Sequence, residues 1–375
     1  MELTGLRFLD SAKIRTIVQT LADQLESNQN LLFLNRVQVV NADDDEIFGK
    51  YKGQVYAADV VADDQEAVVY ESGSFEFTTF QIPNIKMGKS ISQNMLNRIA
   101  RLSRNLPADA ADRQRFDNWQ LEMAQELVLG VRQRVNALLC AMMLDATSYN
   151  RLGIQLQNST WGMPANLKIT PSNYWNDAVN STPITDIQVL ITETAPDNYG
   201  EQYDRVTLSS RAFRYLTQSA EFQNRVKGEL RYNFGNGELN VRDTGAMRAL
   251  LANILGIEVE VYDGSFWERA NNGAKTRNKV LPVNKVLFSS SADDNNTQAF
   301  DFANGVVTES IVGSVLSVPG FNGEAFGPIA YYEGNPGMNP PVIRAWSVVR
   351  GFPRKFRETA TAVMTVGDAT NQAWS

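Results

Sequence analysis

Histidine is missing from all 375 residues of the sequence. It is the one side chain whose unperturbed pKa lies near neutrality. Its absence excludes Ser-His-Asp and Cys-His catalysis and every histidine-ligated metal site. Cysteine is nearly missing too. Cys140 stands alone, so no internal disulfide can form, and the framework of a small secreted protein is excluded. Its neighbours Leu138, Leu139 and Met142 predict a buried, inert thiol rather than a reactive one. No apolar run approaches the roughly 18 residues of a membrane span, so no membrane partner is expected. Met1 to Asp10 lacks the basic-then-apolar order of a signal peptide.

Phosphate-binding and metal-binding patterns are also lacking. There is no Walker loop, no dinucleotide fingerprint and no Cys-x-x-Cys. Gly235-Asn236-Gly237 is a tight turn. Asp43-Asp44-Asp45-Glu46 lacks the spaced ligands and the glycine of a calcium loop. Asp293 to Asn296 is likewise a solvated polar turn. Trp161 and Trp267 are expected in the core or at an interface. The sequence therefore nominates no catalytic, cofactor-binding or metal-binding residue.

What is present is globular: 43% apolar and 21% charged residues, with a net charge of −7. That balance opposes non-specific DNA binding by the chain as a whole. The charge is segregated. Asp43 to Glu71 carries nine acids and two lysines, whereas Lys86 to Arg115 carries seven bases and two acids. Val342 to Glu358 carries five bases and one acid. Such segments can attract one another within a subunit or between subunits.

Periodicity gives the elements. Ile14, Ile17, Val18, Leu21 and Leu25 mark an amphipathic helix within 10–29, followed by an extended arm over 31–45. Residues 47–85 form a long two-stranded hairpin, with an acidic turn from Ala62 to Glu66 and Pro83 at its close. A lone hairpin is marginal in water, so this one needs another surface. The clearest helix runs over 112–147. Phe116, Trp119, Met123, Leu127, Val131, Val135, Leu138 and Met142 recur at steps of three or four. At the standard rise it spans about 54 Å. Gly130 within it marks a bend or a close contact. A loop-rich crossing covers 148–183. Residues 184–290 form a compact α/β unit, with strands at 206–208, 257–262 and 285–288 and a helix, Thr244 to Leu255, stopped by Gly256. A loop-rich stretch leads to strands within 342–366 and a tail over 367–375.

This order of arm, acidic hairpin, basic segment, long helix, crossing, α/β unit and terminal strand resembles the Hong Kong 97-type phage head subunit. More specifically, it is similar to the lambda-like major capsid protein E family. The local likenesses are Phe77 to Pro83, Leu121 to Ala124, Gly256 to Val259 with Tyr262 and Gly264, Leu281 to Leu287, and Arg357 to Val366. The resemblance implies an α+β fold: an N-terminal arm at 1–45, an extended loop at 46–85 and a peripheral domain at 86–183 with its spine helix at 112–147. It further implies an axial domain at 184–340, with 341–375 returning to the peripheral domain and ending in a tail. The sheet of the peripheral domain is then drawn from parts of 86–110, 148–183 and 341–366.

The implied function is a structural, non-enzymatic one. The chain would be the major capsid protein of a tailed bacteriophage, self-assembling as pentamers and hexamers into an icosahedral head around double-stranded DNA. The implied site is the virion capsid, assembled in the host bacterial cytoplasm. Implied partners are further copies of itself, a cement protein, a portal at one vertex, a scaffolding protein during assembly, and packaged DNA touched non-specifically on the inner face. Some relatives join a lysine to an asparagine covalently. Lys50, Lys52, Lys86 and Lys355 are present without a spacing that singles out a pair, so stabilisation by a cement protein is the expectation. The charge pattern places Asp63 and Glu66 of one subunit against Arg354 and Arg357 of the next. An encapsulin-type nanocompartment shell is the alternative within the same fold. A sugar- or nucleic-acid-modifying enzyme with a carboxylate-based site is the alternative of another class.

Overall fold

A computed structural model describes residues 31–42, 45–52, 74–81, 83–91, 110–145, 149–151, 154–156, 162–233, 244–269, 274–291, 299–305, 329–335 and 342–367. The amphipathic helix expected within 10–29, the acidic turn and the Gly235-Asn236-Gly237 turn lie outside these residues.

The long helix organises the chain. We label it α2 (Ala110–Met143), after a short α1 (Leu32–Asn35). Its 34 residues span about 51 Å at the standard rise. Its burial changes along its length. Met123, Leu127 and Val131 form one inward stripe, with Glu122 and Glu126 exposed beside it. From Val135 to Leu144 nearly every side chain is buried, so this end runs through the interior. Gly130 sits at a close approach: a Cβ there would press on Sδ of Met87, a flexible side-chain end that would have to move aside. The close contact anticipated at Gly130 is therefore the finding.

The helix ends at Met143, not at Thr147 as expected. Asp145 adopts a left-handed φ of 50°, which aspartate tolerates better than most residues. Its buried carboxylate accepts from the Met163 amide at 3.4 Å and meets Lys168 Nζ at 2.5 Å. A side chain turned inward at this turn draws the chain out of the helix.

One sheet lies along α2. Strands β1 (Gln38–Ala42), β4 (Asn84–Ile91), β13 (Phe300–Gly305), β14 (Ile329–Asn335) and β15 (Val342–Lys355) make it up. The central strand β15 pairs antiparallel with β4, β14 and β13, and β1 runs parallel to β13. β4 joins this sheet to the helix through the Lys89–Glu126 ion pair.

A second sheet has the order β7 (Lys168–Ile169), β16 (Thr361–Thr365), β12 (Lys285–Ser289), β8 (Arg205–Leu208), β9 (Glu258–Val261). It is mixed, parallel at both edges and antiparallel at its centre. Val206, Leu208, Val286, Phe288, Ala362 and Met364 are buried in it. Around it stand α3 (Pro183–Val189), α4 (Ala195–Tyr199), α5 (Ser210–Gln218), α6 (Ala220–Asn233) and α7 (Thr244–Leu255). Ser209 caps α5, its Oγ accepting from the Ala212 amide at 3.0 Å. Gly256, at φ 70°, ends α7 where the sequence predicted.

Two hairpins stand apart from both sheets: β2 (Asp45–Lys52) with β3 (Ser74–Gln81), and β10 (Ser265–Arg269) with β11 (Lys275–Lys279). A small β5 (Tyr149–Arg151) and β6 (Ile154–Leu156) pair lies in the crossing region.

Three expectations change. The terminal strand belongs to the second sheet, because β16 pairs with β12 and β7 rather than with β15 or β4. Residues 300–305 and 329–335, expected in the unit 184–340, pair with β15 in the sheet of the long helix. The stretch 31–42 is no free arm: Leu31, Phe33 and Val37 are buried, and β1 is hydrogen-bonded to β13. Residues 300–305 and 329–335 lie in the stretch expected to be loop-rich, and β14 pairs with the strand that follows it, whereas β1 and β16 find their partners far away in sequence.

Candidate assembly site

A polar joint locks three parts of the subunit together. Asn136 lies inside the buried end of α2. Its Oδ1 accepts from the Leu34 amide at 3.0 Å, and its Nδ2 donates to the Tyr262 hydroxyl at 2.9 Å. Tyr262 follows β9 and meets the Phe33 ring edge-on at 5.2 Å. Burial pushes its phenol well above the ordinary range. Arg36, itself buried, pairs with Glu260 of β9 and donates to Thr207 Oγ1 at 3.4 Å. Arg134 of α2 pairs with Glu268 of β10 at 2.9 Å. The N-terminal stretch, the long helix and the second sheet thus share one hydrogen-bonded seam. A single signal for it existed in the sequence: Asn136 is a polar residue inside an otherwise apolar run.

Cys140 lies fully buried beside this seam, and burial raises its thiol pKa. It is an inert core thiol. Among the described residues, no group of three or more Cys, Asp or Glu could hold a metal ion. No described helix is long and apolar enough to cross a membrane.

The proposed Arg354 contact with a neighbour is corrected. Arg354 faces Asp301 directly across β15 and β13, with side-chain exposures of 7% and 11%. Its Nε donates to Asp301 Oδ1 at 2.7 Å, and a second prong closes the pair. A guanidinium held in this way serves its own subunit. Arg357 is more open, yet its Nε lies 3.3 Å from Glu201 Oε1 of the same chain. Asp63 and Glu66 lie outside the described residues. Of the candidate cross-linking lysines, Lys355 is fully buried and donates to Thr361 Oγ1 at 3.0 Å. Lys86 lies over the Trp346 ring at 4.8 Å.

Two hairpins lie outside both sheets among the described residues. β2 and β3 pair through eight residues each, from Asp45 opposite Gln81 to Lys52 opposite Ser74. They are rooted in the first sheet at both ends: β1 finishes at Ala42 and β4 begins at Asn84. Pro83 fixes that root, its carbonyl accepting from the Gly351 amide at 3.1 Å. Among the described residues β2–β3 has no third strand. On β10–β11, Phe266 is buried but Trp267 is 69% exposed, so Trp267 is no core residue.

Two solved structures share this fold. One is described as a prophage capsid protein of Escherichia coli CFT073: TM-score 0.57, 13% identity, covering 96% of this chain and 100% of that one. The other is a phage-related protein from Bordetella bronchiseptica RB50: TM-score 0.50, 13% identity, covering 93% and 96%. No curated protein matches in sequence. An α+β subunit with a long helix along one sheet, a second mixed sheet and a two-stranded hairpin outside both is the Hong Kong 97-type shell fold. The family model described as phage major capsid protein E matches residues 30–304, and the chain belongs to that family. Its function is to assemble with copies of itself into the head shell of a tailed phage. The role is a structural one.

Proposed function

We propose that the chain builds its shell chiefly by laying the β2–β3 hairpin on a neighbouring copy, within rings of five and six. The observation that carries this is the isolation of the hairpin. Eight residue pairs form a ladder rooted in the first sheet but lacking a third strand among the described residues. A two-stranded ribbon is marginal in water unless it packs on something. A second copy is the partner available in every shell. In this reading the first sheet with α2 is the peripheral body, and the second sheet with α3 to α7 is the axial body that meets its copies around the symmetry axes. Closed rotational symmetry then requires the same complementary patches on each copy.

Further partners follow from the same reading. A scaffolding protein guides curvature during assembly, a portal occupies one vertex, and packaged double-stranded DNA meets the inner face without sequence preference. A cement protein supplies stability in place of cross-links; of the four candidate lysines, Lys355 is buried in its own core.

The test is the assembly state of the purified full-length chain, alone and with its scaffolding protein, by negative-stain microscopy and light scattering. Closed shells tens of nanometres across, with pentameric and hexameric units and single-chain bands on a denaturing gel, are expected. Monomers or open sheets under both conditions would overturn the reading, and a ladder on the gel would overturn the cement-protein part of it.

A further inference from the structure

The β10–β11 hairpin presents two unlike faces. The inward face carries buried Phe266 with Arg134 of α2 at 5.0 Å from its ring centre, and Glu268, which binds both Arg134 and Asn278. The register places Trp267 opposite Arg277 and Ser265 opposite Lys279, so these four share the other face. There Trp267 is 69% exposed, and Lys275 and Arg277 are exposed. Arg277 is steadied by a bond from Nε to Ser265 Oγ at 2.9 Å. Lys279 is held by the backbone carbonyl and the carboxylate of Asp263. The result is a basic face with a large aromatic ring at its centre. The Arg134–Glu268 ion pair ties it to the long helix.

An exposed tryptophan ringed by cations suits an occupant that is both acidic and apolar. The chain carries one. Residues 53–73, which join β2 to β3, contain Asp59, Asp63, Asp64, Glu66 and Glu71 and no base. The same residues include Val60, Val61, Val68, Val69 and Tyr70. We propose that the Trp267–Lys275–Arg277 face of one subunit receives the acidic segment 53–73 of a second copy. This rests on the shell-building reading above and names the surface that reading lacked once Arg354 proved buried. Duplex DNA fits less well. It offers backbone charge to the bases but no unstacked base for the tryptophan, and the net charge of −7 opposes it.

The experiment uses the full-length chain. A Lys275→Glu/Arg277→Glu variant is expected to lower shell yield about tenfold while its melting midpoint stays within a few degrees of wild type. Adding Asp63→Lys/Glu66→Lys to it is expected to recover most of the yield, since paired reversals report coupling between the two sites. A fluorescence arm avoids charge changes. The iodide-quenchable emission of free subunits that Trp267→Phe removes should be shielded in assembled wild-type shells. Normal shells from the charge-reversed variant would overturn the inference. So would a loss that the second pair does not rescue, or a Trp267 signal still quenched in shells. Shells of normal yield that fail to retain DNA would assign the face to nucleic acid instead. If wild-type chain forms no shells, the shell-building reading fails; if it does and the variant does too, only this inference fails.

Discussion

Asp301 and Arg354 face one another across adjacent strands and bind by two prongs inside the sheet that lines the long helix. Removing one partner leaves the other charge buried and uncompensated. Arg354→Ala or Asp301→Ala is expected to cost about 3–5 kcal/mol. Replacing both with apolar residues of similar volume is expected to be far milder. Chemical unfolding of the three variants checks this. The consequence for assembly is specific: an Arg354→Glu chain fails by misfolding, and soluble, native-like subunits that cannot assemble would contradict it.

The seam at Asn136 makes a second prediction. Asn136→Leu removes the acceptor for the Leu34 amide and the donor to the Tyr262 hydroxyl. Each buried polar group left unpaired costs about 1–3 kcal/mol. Tyr262→Phe removes one end only and is expected to cost about 1 kcal/mol. Because Leu34 sits in the N-terminal stretch, limited proteolysis should release residues before β1 sooner from Asn136→Leu than from Tyr262→Phe.

Two carboxylates give opposite pH behaviour. Asp186 is half-buried, and desolvation raises its pKa although Trp175 Nε1 donates to it at 2.9 Å and Thr182 bonds it; Glu221 nearby adds to the rise. A group whose folded pKa is raised gives stability that is full below its unfolded pKa and is lost as pH rises through the folded value. At neutral pH, ionised Asp186 is therefore a cost. Asp186→Asn, which keeps an acceptor for Trp175, is expected to raise the melting midpoint at pH 7. Its advantage should shrink as pH falls through the Asp186 titration. Asp177 behaves in reverse. The Asn180 side chain, then the Asn180 and Val179 amides, lower its pKa. Its contribution is present above the ordinary aspartate pKa and is lost as pH falls through the folded one, so Asp177→Asn should lower the midpoint at pH 7 but not in strong acid. Thermal melts across pH 2–8, a window bracketing ordinary carboxylate titration, separate the two.

Local signals were legible and distant ones were not. Steps of three and four announced α2, the alternating Phe75, Phe77 and Thr79 announced β3, and Gly256 announced the end of α7, because each depends on residues adjacent in the chain. The place of β16 was not legible. Thr361 to Thr365 is an apolar run that fits either sheet, and its choice of β12 depends on a register with residues 285–289. Arg354 read as a surface base for the same reason. It lies in a basic segment, and the Asp301 that neutralises it is 53 residues away. Asn136 interrupts an apolar run but was not singled out, and its partners Leu34 and Tyr262 lie more than a hundred residues off on either side. Trp267 was assigned to core or interface on size alone. Only strand register shows which side of β10 is covered.

The hairpin itself offers the cleanest separation of folding from assembly. Lys52 and Ser74 stand directly opposite one another at the end of the β2–β3 ladder. A two-residue Asn-Gly turn fits such a pair, because its backbone twist matches that of the flanking strands. Replacing residues 53–73 with Asn-Gly therefore closes the ladder without disturbing its root at Pro83 and Gly351. The shortened subunit is expected to melt within a few degrees of wild type and to show the same secondary structure by circular dichroism. Shell yield should fall at least tenfold, because five acids and the apolar residues among them are lost at once. Shells formed at the wild-type yield would show that the segment carries no assembly contact. A collapse of the melting midpoint would show instead that it belongs to the core of its own subunit.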